Sequence, residues 1–577
     1  MHWIDWLVML ATLLLIVAYG VYRTRDISDM RSYLMGKKDL PWWTIGLSIM
    51  ATQASAITFL STPGQAFDDG MRFAQFYFGL PVAMVFLSIF VLPIFYRLNI
   101  YTAYEYLEQR FDLRTRTLTA SLFLLSRGLA AGITIYAPSI ILSSLMGWNL
   151  TLTNLLMGIL VIVYTVAGGT KAVSVTQKQQ MIVILSGMAI TAIILLWKLP
   201  PHVGFQEAVK VAGKMGKLNI VDFSFDLSNR YTFWSGMLGG VFLFLSYFGT
   251  DQSQVQRYLS GRSLKESRLG LLFNGIIKVP MQFLILFVGI LVYVFYLYTP
   301  SPVHFNRANV IKVEQSARYE DFRELEANNI LIQTKRRQAA DQLILAMDQG
   351  DEEAIARSQA NMQTLQAEER STREEVRSLI RDVSPLMDTN DLDYVFLSFV
   401  TDFLPIGLVG LLLAVIFSAA MSSISSELNA LATTTVVDIY RRSLVRERSD
   451  QHYLKASRWL TVGWGVVALI FAETASLFDN LIQAVNIIGS LFYGTLLGIF
   501  LTAFFLKKVG PKAVFLAALI GEGSVLTIFW LSQKGIVSIA YLWLNLIGCF
   551  IVMGMALLLA AMFRENVRPG GEEQPTR

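Results

Sequence analysis

"AAMSSISSELNALATTTVVDIYRR" occupies residues 419–442, directly after the apolar run "GLVGLLLAVIFS" of residues 407–418. The run is hydrophobic enough for lipid, yet Ser422, Ser423, Ser425 and Ser426 follow within one and a half turns. On a helix that turns about 100° per residue, Ser425, Ser426, Asn429 and Thr433 fall within roughly 60° of Ser422. Ser423 lies about 100° away and faces a neighbouring arc. Small hydroxyls let membrane helices approach and hydrogen-bond, but this stripe exceeds what packing needs.

The rest of the chain sets the context. Of 577 residues, 54% are hydrophobic and 16% charged, against about a quarter charged in soluble domains. The chain is therefore an all-α integral membrane protein. About 13 apolar spans of membrane-crossing length recur along it, the first (3–22) reading as an uncleaved span and not as a signal peptide. The net charge of +5 comes from Lys and Arg beside the spans and is no sign of nucleic-acid binding. Basic loops such as "RFDLRTRT", "RYLSGRSLKESR" and "YRRSLVRERSD" alternate with less basic ones, which puts the N-terminus outside and the C-terminus in the cytoplasm of a plasma-membrane protein. One cysteine, Cys549, rules out an intrachain disulfide. No P-loop, nucleophile–base pair or metal-ligand spacing points to an enzyme.

The expected units are a first transmembrane set in residues 1–302, a charged helical hairpin in 303–395, a second transmembrane set in 396–565 and a tail in 566–577. The hairpin reads as a soluble outer insertion broken at Gly350: a docking element or lid for an unknown partner, or an insertion without a role in the chemistry. Asp388, Asp391 and Asp393 at its end do not have calcium-loop spacing and are expected in a solvated loop.

Two spans look interrupted. "GLSIMATQASAITFLSTPG" (46–64) and "LSYFGTDQSQVQRYL" (245–259) place polar residues and glycines inside apolar runs. They are the first and sixth of ten consecutive spans, as an inverted repeat of five beginning near residue 41 requires, and paired interrupted helices point to a transporter's midplane site. Broken helices free backbone carbonyls, and hydroxyls plus carbonyls suit a hard, weakly held cation such as sodium.

The blocks "LPWWTIGLSIMATQASAITFLSTPGQAF", "GITIYAPSIIL", "YTVAGGTKAV", "DFSFDLSNRYTFW" and "QVQRYLSGRS" resemble the sodium/solute symporter family, whose fold is shared with the leucine transporter. The chain is most similar to the branch that carries iodide, monocarboxylates and vitamins. The resemblance implies sodium-coupled import of a small organic solute or anion by alternating access, with sodium as the coupling ion. It places sodium on the carbonyls of Ala51, Ala54 and Ala419 and the hydroxyls of Ser422 and Ser423. A second ion in some members uses the next serines, here Ser425 and Ser426, with an aspartate where this chain has Gln177. The substrate residues implied are Gln53, Ser55, Thr58, Phe73, Tyr77, Asp251, Ser253 and Gln483. Sugar carriers have a glutamate at Tyr77 and an aromatic gate at Ser253, which argues against a pyranose, although a sodium/sugar symporter, sialic acid included, remains the alternative. A membrane sensor on the same fold is the other.

Arg127 and Lys278 are ionisable residues at membrane depth and are functional candidates by default. Arg127 either attracts an anionic solute or forms a structural ion pair, and Asp251 is the counter-charge available to either cation.

Overall fold

The computed structural model describes residues 1–24, 38, 40–98, 100–384, 389–474 and 480–563; the tail 566–577 and Asp388 lie outside them. Among the described residues the chain is helical throughout, with one isolated bridge between Leu40 and Gly261 and no strand. Among the described residues, nine helices are long and apolar enough to cross a membrane, and three shorter apolar helices accompany them.

The first helix, α1 (Trp3–Thr24), packs along the helix that carries the serines. The first interrupted span is α2 (Trp42–Gln53) followed by α3 (Ala56–Asp69). The last helical bond of α2 runs from the Ala54 N–H to the Met50 carbonyl at 2.7 Å, and Ala54 leaves helical geometry at φ −88°, ψ 73°. The next long helix, α4 (Leu113–Met146), starts at Asp112, whose carboxylate accepts from the Thr115 N–H at 2.8 Å.

Two expected spans fall within one helical stretch, α5 (Leu150–Trp197). Its 48 residues would reach about 70 Å if straight, more than twice a hydrocarbon core of about 30 Å. Its two ends run in opposite directions. Asn154 donates to Glu473, while Ile162 lies against Gly465, so the first end runs antiparallel to the helix ending at Ala472. Gln180 donates to Ser418 and Gly187 meets Leu412, so the second end runs antiparallel to the serine helix.

The second interrupted span is α6 (Gly240–Gly249) and α7 (Gln252–Leu259). The Asp251 carboxylate caps α7, accepting from the Ser253 N–H at 2.9 Å and the Ser253 hydroxyl at 2.6 Å. α8 (Leu264–Tyr298) then leads to the hairpin, α9 (Tyr319–Gln349) and α10 (Glu352–Val383). Gly350 turns between them at φ 68°, a left-handed geometry glycine adopts without strain. A short helix, α11 (Leu392–Phe403), returns the chain to the serine helix α12 (Leu408–Thr434), and α13 (Asp450–Ala472), α14 (Leu481–Phe505), α15 (Pro511–Gln533) and α16 (Tyr541–Phe563) complete the chain.

α12 is the buried axis. Its most apolar window is 89% buried inside the protein, against 22% for α13 and α16, so its hydroxyls face protein and not lipid. α1, α2, α3, α4, α5, α7 and α13 all pack on it. At its start, the buried Asp5 carboxylate of α1 accepts from the Gly407 N–H at 2.6 Å and the Gly410 N–H at 3.4 Å.

The hairpin packs on its own protein. Arg336 and Glu369 pair between its helices, Arg370 reaches Asp68 at 3.2 Å, and Gln359 donates to the Lys214 carbonyl at 2.8 Å. At the hairpin's base the acids are not solvated as expected. Asp391 and Asp393 are buried, because each meets donors that replace water. Asp391 accepts from the Phe305 N–H at 2.9 Å and from Arg377 at 3.1 Å, with Arg373 at 3.6 Å and His304 at 3.5 Å. Asp393 accepts from Asn480 at 3.3 Å and from the Leu481 N–H at 3.4 Å.

Beneath the hairpin, Lys217 donates to the Phe67 and Asp68 carbonyls at 2.8 and 2.5 Å and lies 4.6 Å from the Tyr293 ring centre. Burial pushes its ammonium down from an ordinary 10.5 to about 8. Between those values the unfolded chain holds a proton the folded one has released, so stability rises with pH there, at most about 1.4 kcal/mol per unit. The thermal midpoint of purified protein, measured from pH 8 to 10.5, should gain on that of Lys217→Met across the window; parallel profiles would contradict the burial of this charge.

Candidate functional site

The first break, α6 and α12 border one cavity. Thr52, Gln53, Ser55, Ile57 and Thr58 line it from the first break, Leu243, Phe244 and Tyr247 from α6, and Phe76 and Tyr77 from the turn after α3. Arg127 and Thr134 of α4, Glu427 of α12, and Ile482, Val485, Asn486 and Tyr493 of α14 close it.

Of the substrate residues expected, Gln53, Ser55, Thr58 and Tyr77 line the cavity. Phe73, Asp251, Ser253 and Gln483 do not. Phe73 stacks on Phe76 at 5.3 Å and meets the Tyr77 ring edge-on at 5.8 Å, one layer behind the wall. Asp251 and Ser253 are occupied with each other as the cap of α7. Gln483 donates to Gln65 at 2.7 Å and accepts from Arg230, in a polar chain that continues from Gln65 to Asp69. It is about 100° round the helix from Ile482, whereas Asn486 and Tyr493 share the Ile482 face.

Arg127 is fixed by partners. One terminal nitrogen donates to Asp251 and, at 2.8 Å, to the Tyr493 hydroxyl; the other donates to Glu427 at 3.1 Å. Its guanidinium lies 5.2 Å from the Tyr247 ring centre. Of the two readings of Arg127, the geometry is that of the ion pair, with Asp251 as one counter-charge and Glu427 as a second. Lys278 is buried, its Nζ without a hydrogen-bond partner and 5.9 Å from the Tyr77 ring centre.

Beside this cavity lie the serines. Ser422 and Ser423 are 1% and 0% exposed, and both hydroxyls lack a hydrogen-bond partner. A buried hydroxyl left unpaired costs about 1–3 kcal/mol, so the pair is suited to a partner that supplies charge. The next pair differs. The Ser426 hydroxyl donates to the Ser422 carbonyl at 2.9 Å and sits 3.5 Å from the Gln177 amide nitrogen. That amide also donates to Thr52 at 3.2 Å, and its oxygen accepts from Ser48 at 2.6 Å. Gln177 thus ties α2, α5 and α12 together without a charge, and Ser425 is buried. Ala51, Ala54 and Ala419 are buried as well, the first two at the end of α2, where helical carbonyls are released.

Glu427, Thr134, Asn486 and Tyr493 are cavity residues that the sequence reading did not place there. Glu427 carried a signal: it stands four residues after Ser423, on the same helix face.

Arg127→Met should leave two buried carboxylates uncompensated and cost about 3–5 kcal/mol, read as a large fall in thermal midpoint. Arg127→Lys should recover only part of it, because one ammonium cannot reproduce the fork. An unchanged midpoint in Arg127→Met would refute the ion-pair geometry.

A family model described as SSF, sodium:solute symporter family, matches residues 33–317 and 384–521. The gap between the two matches is the hairpin. Sodium-coupled monocarboxylate transporter 2 of Mus musculus is 26% identical over 500 residues, covering 86% of this chain and 67% of its own. The sodium-dependent multivitamin transporter of Oryctolagus cuniculus is 28% identical over 544 residues, covering 93% of this chain and 71% of its own. The solved structure of a substrate-bound, outward-open Na⁺-coupled sialic acid symporter covers 98% of this chain and 99% of its own at 21% identity, with a TM-score of 0.73, a likeness of fold.

Proposed function

The chain belongs to the sodium:solute symporter family, and from that premise we propose how this sodium-coupled, multi-pass membrane transporter holds its ion and its solute. Sodium binds where the first break meets α12, on the carbonyls of Ala51, Ala54 and Ala419 and the hydroxyls of Ser422 and Ser423. The observation that carries this reading is the pair of buried, unpartnered hydroxyls at Ser422 and Ser423. Their oxygens offer lone pairs without a fixed negative charge, so the ion is held weakly enough to leave. The solute occupies the adjoining cavity, between Gln53, Ser55, Thr58 and Tyr77 on one side and the Arg127 group on the other.

Ser425, Ser426 and Gln177 form the neutral counterpart of a second ion site. The Gln177 amide spends its hydrogen bonds on Ser48, Thr52 and Ser426, so one sodium moves per cycle. One charge across 100 mV contributes about 2.3 kcal/mol, enough to concentrate a neutral solute about fifty-fold. Residues 1–302 and 396–565 form the transmembrane unit, 303–395 the outer insertion and 566–577 a cytoplasmic tail, with the N-terminus outside.

Counterflow in proteoliposomes, against carboxylates, sugars, amino acids and halides, tests the assignment. Ser422→Ala combined with Ser423→Ala should cut sodium-dependent flux at least about tenfold in protein that still elutes as a folded species. Flux that survives the double substitution, or the removal of sodium, would sink the ion site. Gln177→Asp should steepen sodium activation, with a Hill coefficient rising from about one toward two; no change would argue against the neutral-site reading.

A further inference from the structure

The polar groups left open on the cavity wall are not distributed evenly. Both terminal nitrogens of Arg127 are taken up by Asp251, Glu427 and Tyr493. Glu427 uses one carboxylate oxygen on Arg127; its other oxygen, Oε2, is buried and has no partner. The Gln53 Oε1 on the same cavity is also buried and unpartnered. Two acceptors therefore await donors, and one of them is charged. One arginine thus faces two carboxyl groups on this wall.

Aromatic faces surround that wall. Tyr247 and Tyr493 lie 6.0 Å apart, and Phe244 stacks near Tyr77 at 5.9 Å. Ring faces favour a positively charged nitrogen. Another part of the lining has the reverse polarity. It is the start of α3, where Ser55 occupies the cap position without a side-chain cap bond; the Thr58 N–H bonds the Ser55 carbonyl at 3.0 Å, which leaves the N–H groups of Ala56 and Ile57 without a capping side chain. A helix N-terminus attracts a carboxylate. Lys278 lies behind Tyr77, its Nζ 5.9 Å from the ring centre.

Building on the symporter reading above, we propose that the solute is a zwitterion: a compact molecule whose protonated nitrogen donates to Glu427 Oε2 and whose carboxylate rests on the N-terminus of α3 near Ser55–Thr58. A bare monocarboxylate would leave the Glu427 oxygen unpaired and meet its charge. A neutral sugar would satisfy the acceptors but bring no cation to the second carboxyl group. The solute class is thus set by an acid on the sodium-binding helix itself, one turn after Ser423.

The test uses wild-type protein in proteoliposomes with an inward sodium gradient and pairs of radiolabelled solutes that differ by one amino group: alanine and propionate, 4-aminobutyrate and butyrate, proline and cyclopentanecarboxylate. Within at least one pair the aminated member should accumulate about tenfold or more above its partner, the ratio expected for a charge-assisted hydrogen bond. Glu427→Gln should raise KM for that solute by a similar factor, and a retained sodium-induced thermal shift would show that the variant is folded. Sodium-driven accumulation confined to monocarboxylates, sugars or halides would overturn the inference and leave the symporter reading standing, as would an unchanged KM in Glu427→Gln. Proton uptake by Glu427 in place of an amine, seen as acidification that accompanies transport of a non-aminated solute, would also overturn it. The absence of sodium-driven flux for every solute would remove the reading on which it rests.

Discussion

A membrane helix that stops in mid-span exposes N–H and C=O groups that lipid cannot satisfy, and each costs several kcal/mol unless protein or a ligand takes it up. This chain stops two helices that way, at Ala54–Ser55 and at Thr250–Asp251. The second break is partly repaired from within, since Asp251 caps the helix that follows it. The first is not capped by any side chain, and its polar groups face the cavity and α12. The placement of α12 follows: a helix too rich in hydroxyls for lipid, enclosed by seven others, lies against a break too polar for lipid.

The charged group at the cavity obeys the same constraint. Asp251 must be near the second break to cap it, and a carboxylate at that depth requires a cation, which Arg127 supplies. Arg127 in turn has donors to spare, and Glu427 and Tyr493 occupy them. On the proposed assignment, ion and solute share one helix, because Ser422, Ser423 and Glu427 all belong to α12. Such a shared element gives a physical route for coupling two ligands without a relay between distant sites.

The breaks and the polar stripe of α12 were legible in the sequence because both are local patterns: polar residues and glycine inside an apolar run, and a period of 3.6. The hairpin was legible from its charge and from Gly350. Rotation about each helix axis was not. Gln483 is the polar residue in its stretch, yet Ile482, Asn486 and Tyr493 face the cavity, and nothing within α14 fixes which arc points inward. The burial of Asp391 and Asp393 was hidden for a related reason. Their partners, among them Phe305, Arg377 and Asn480, come from three separate stretches of the chain, and spacing along it carries no information about that encounter. Arg127 could be recognised as buried, but its choice between solute and carboxylate depended on where Glu427 sits.

The neck of the hairpin has a consequence for how the chain reaches this fold. Asp391 joins the two ends of the insertion, taking the Phe305 N–H on one side and Arg377 on the other. Closing a long excursion costs entropy that grows only with the logarithm of its length, and the hairpin's helices recover that cost through contacts of their own, such as Arg336 with Glu369. To the membrane core, α8 and α11 are then joined as if by a short loop. The insertion can lengthen or shorten at its Gly350 tip over evolutionary time without disturbing the register of the spans on either side.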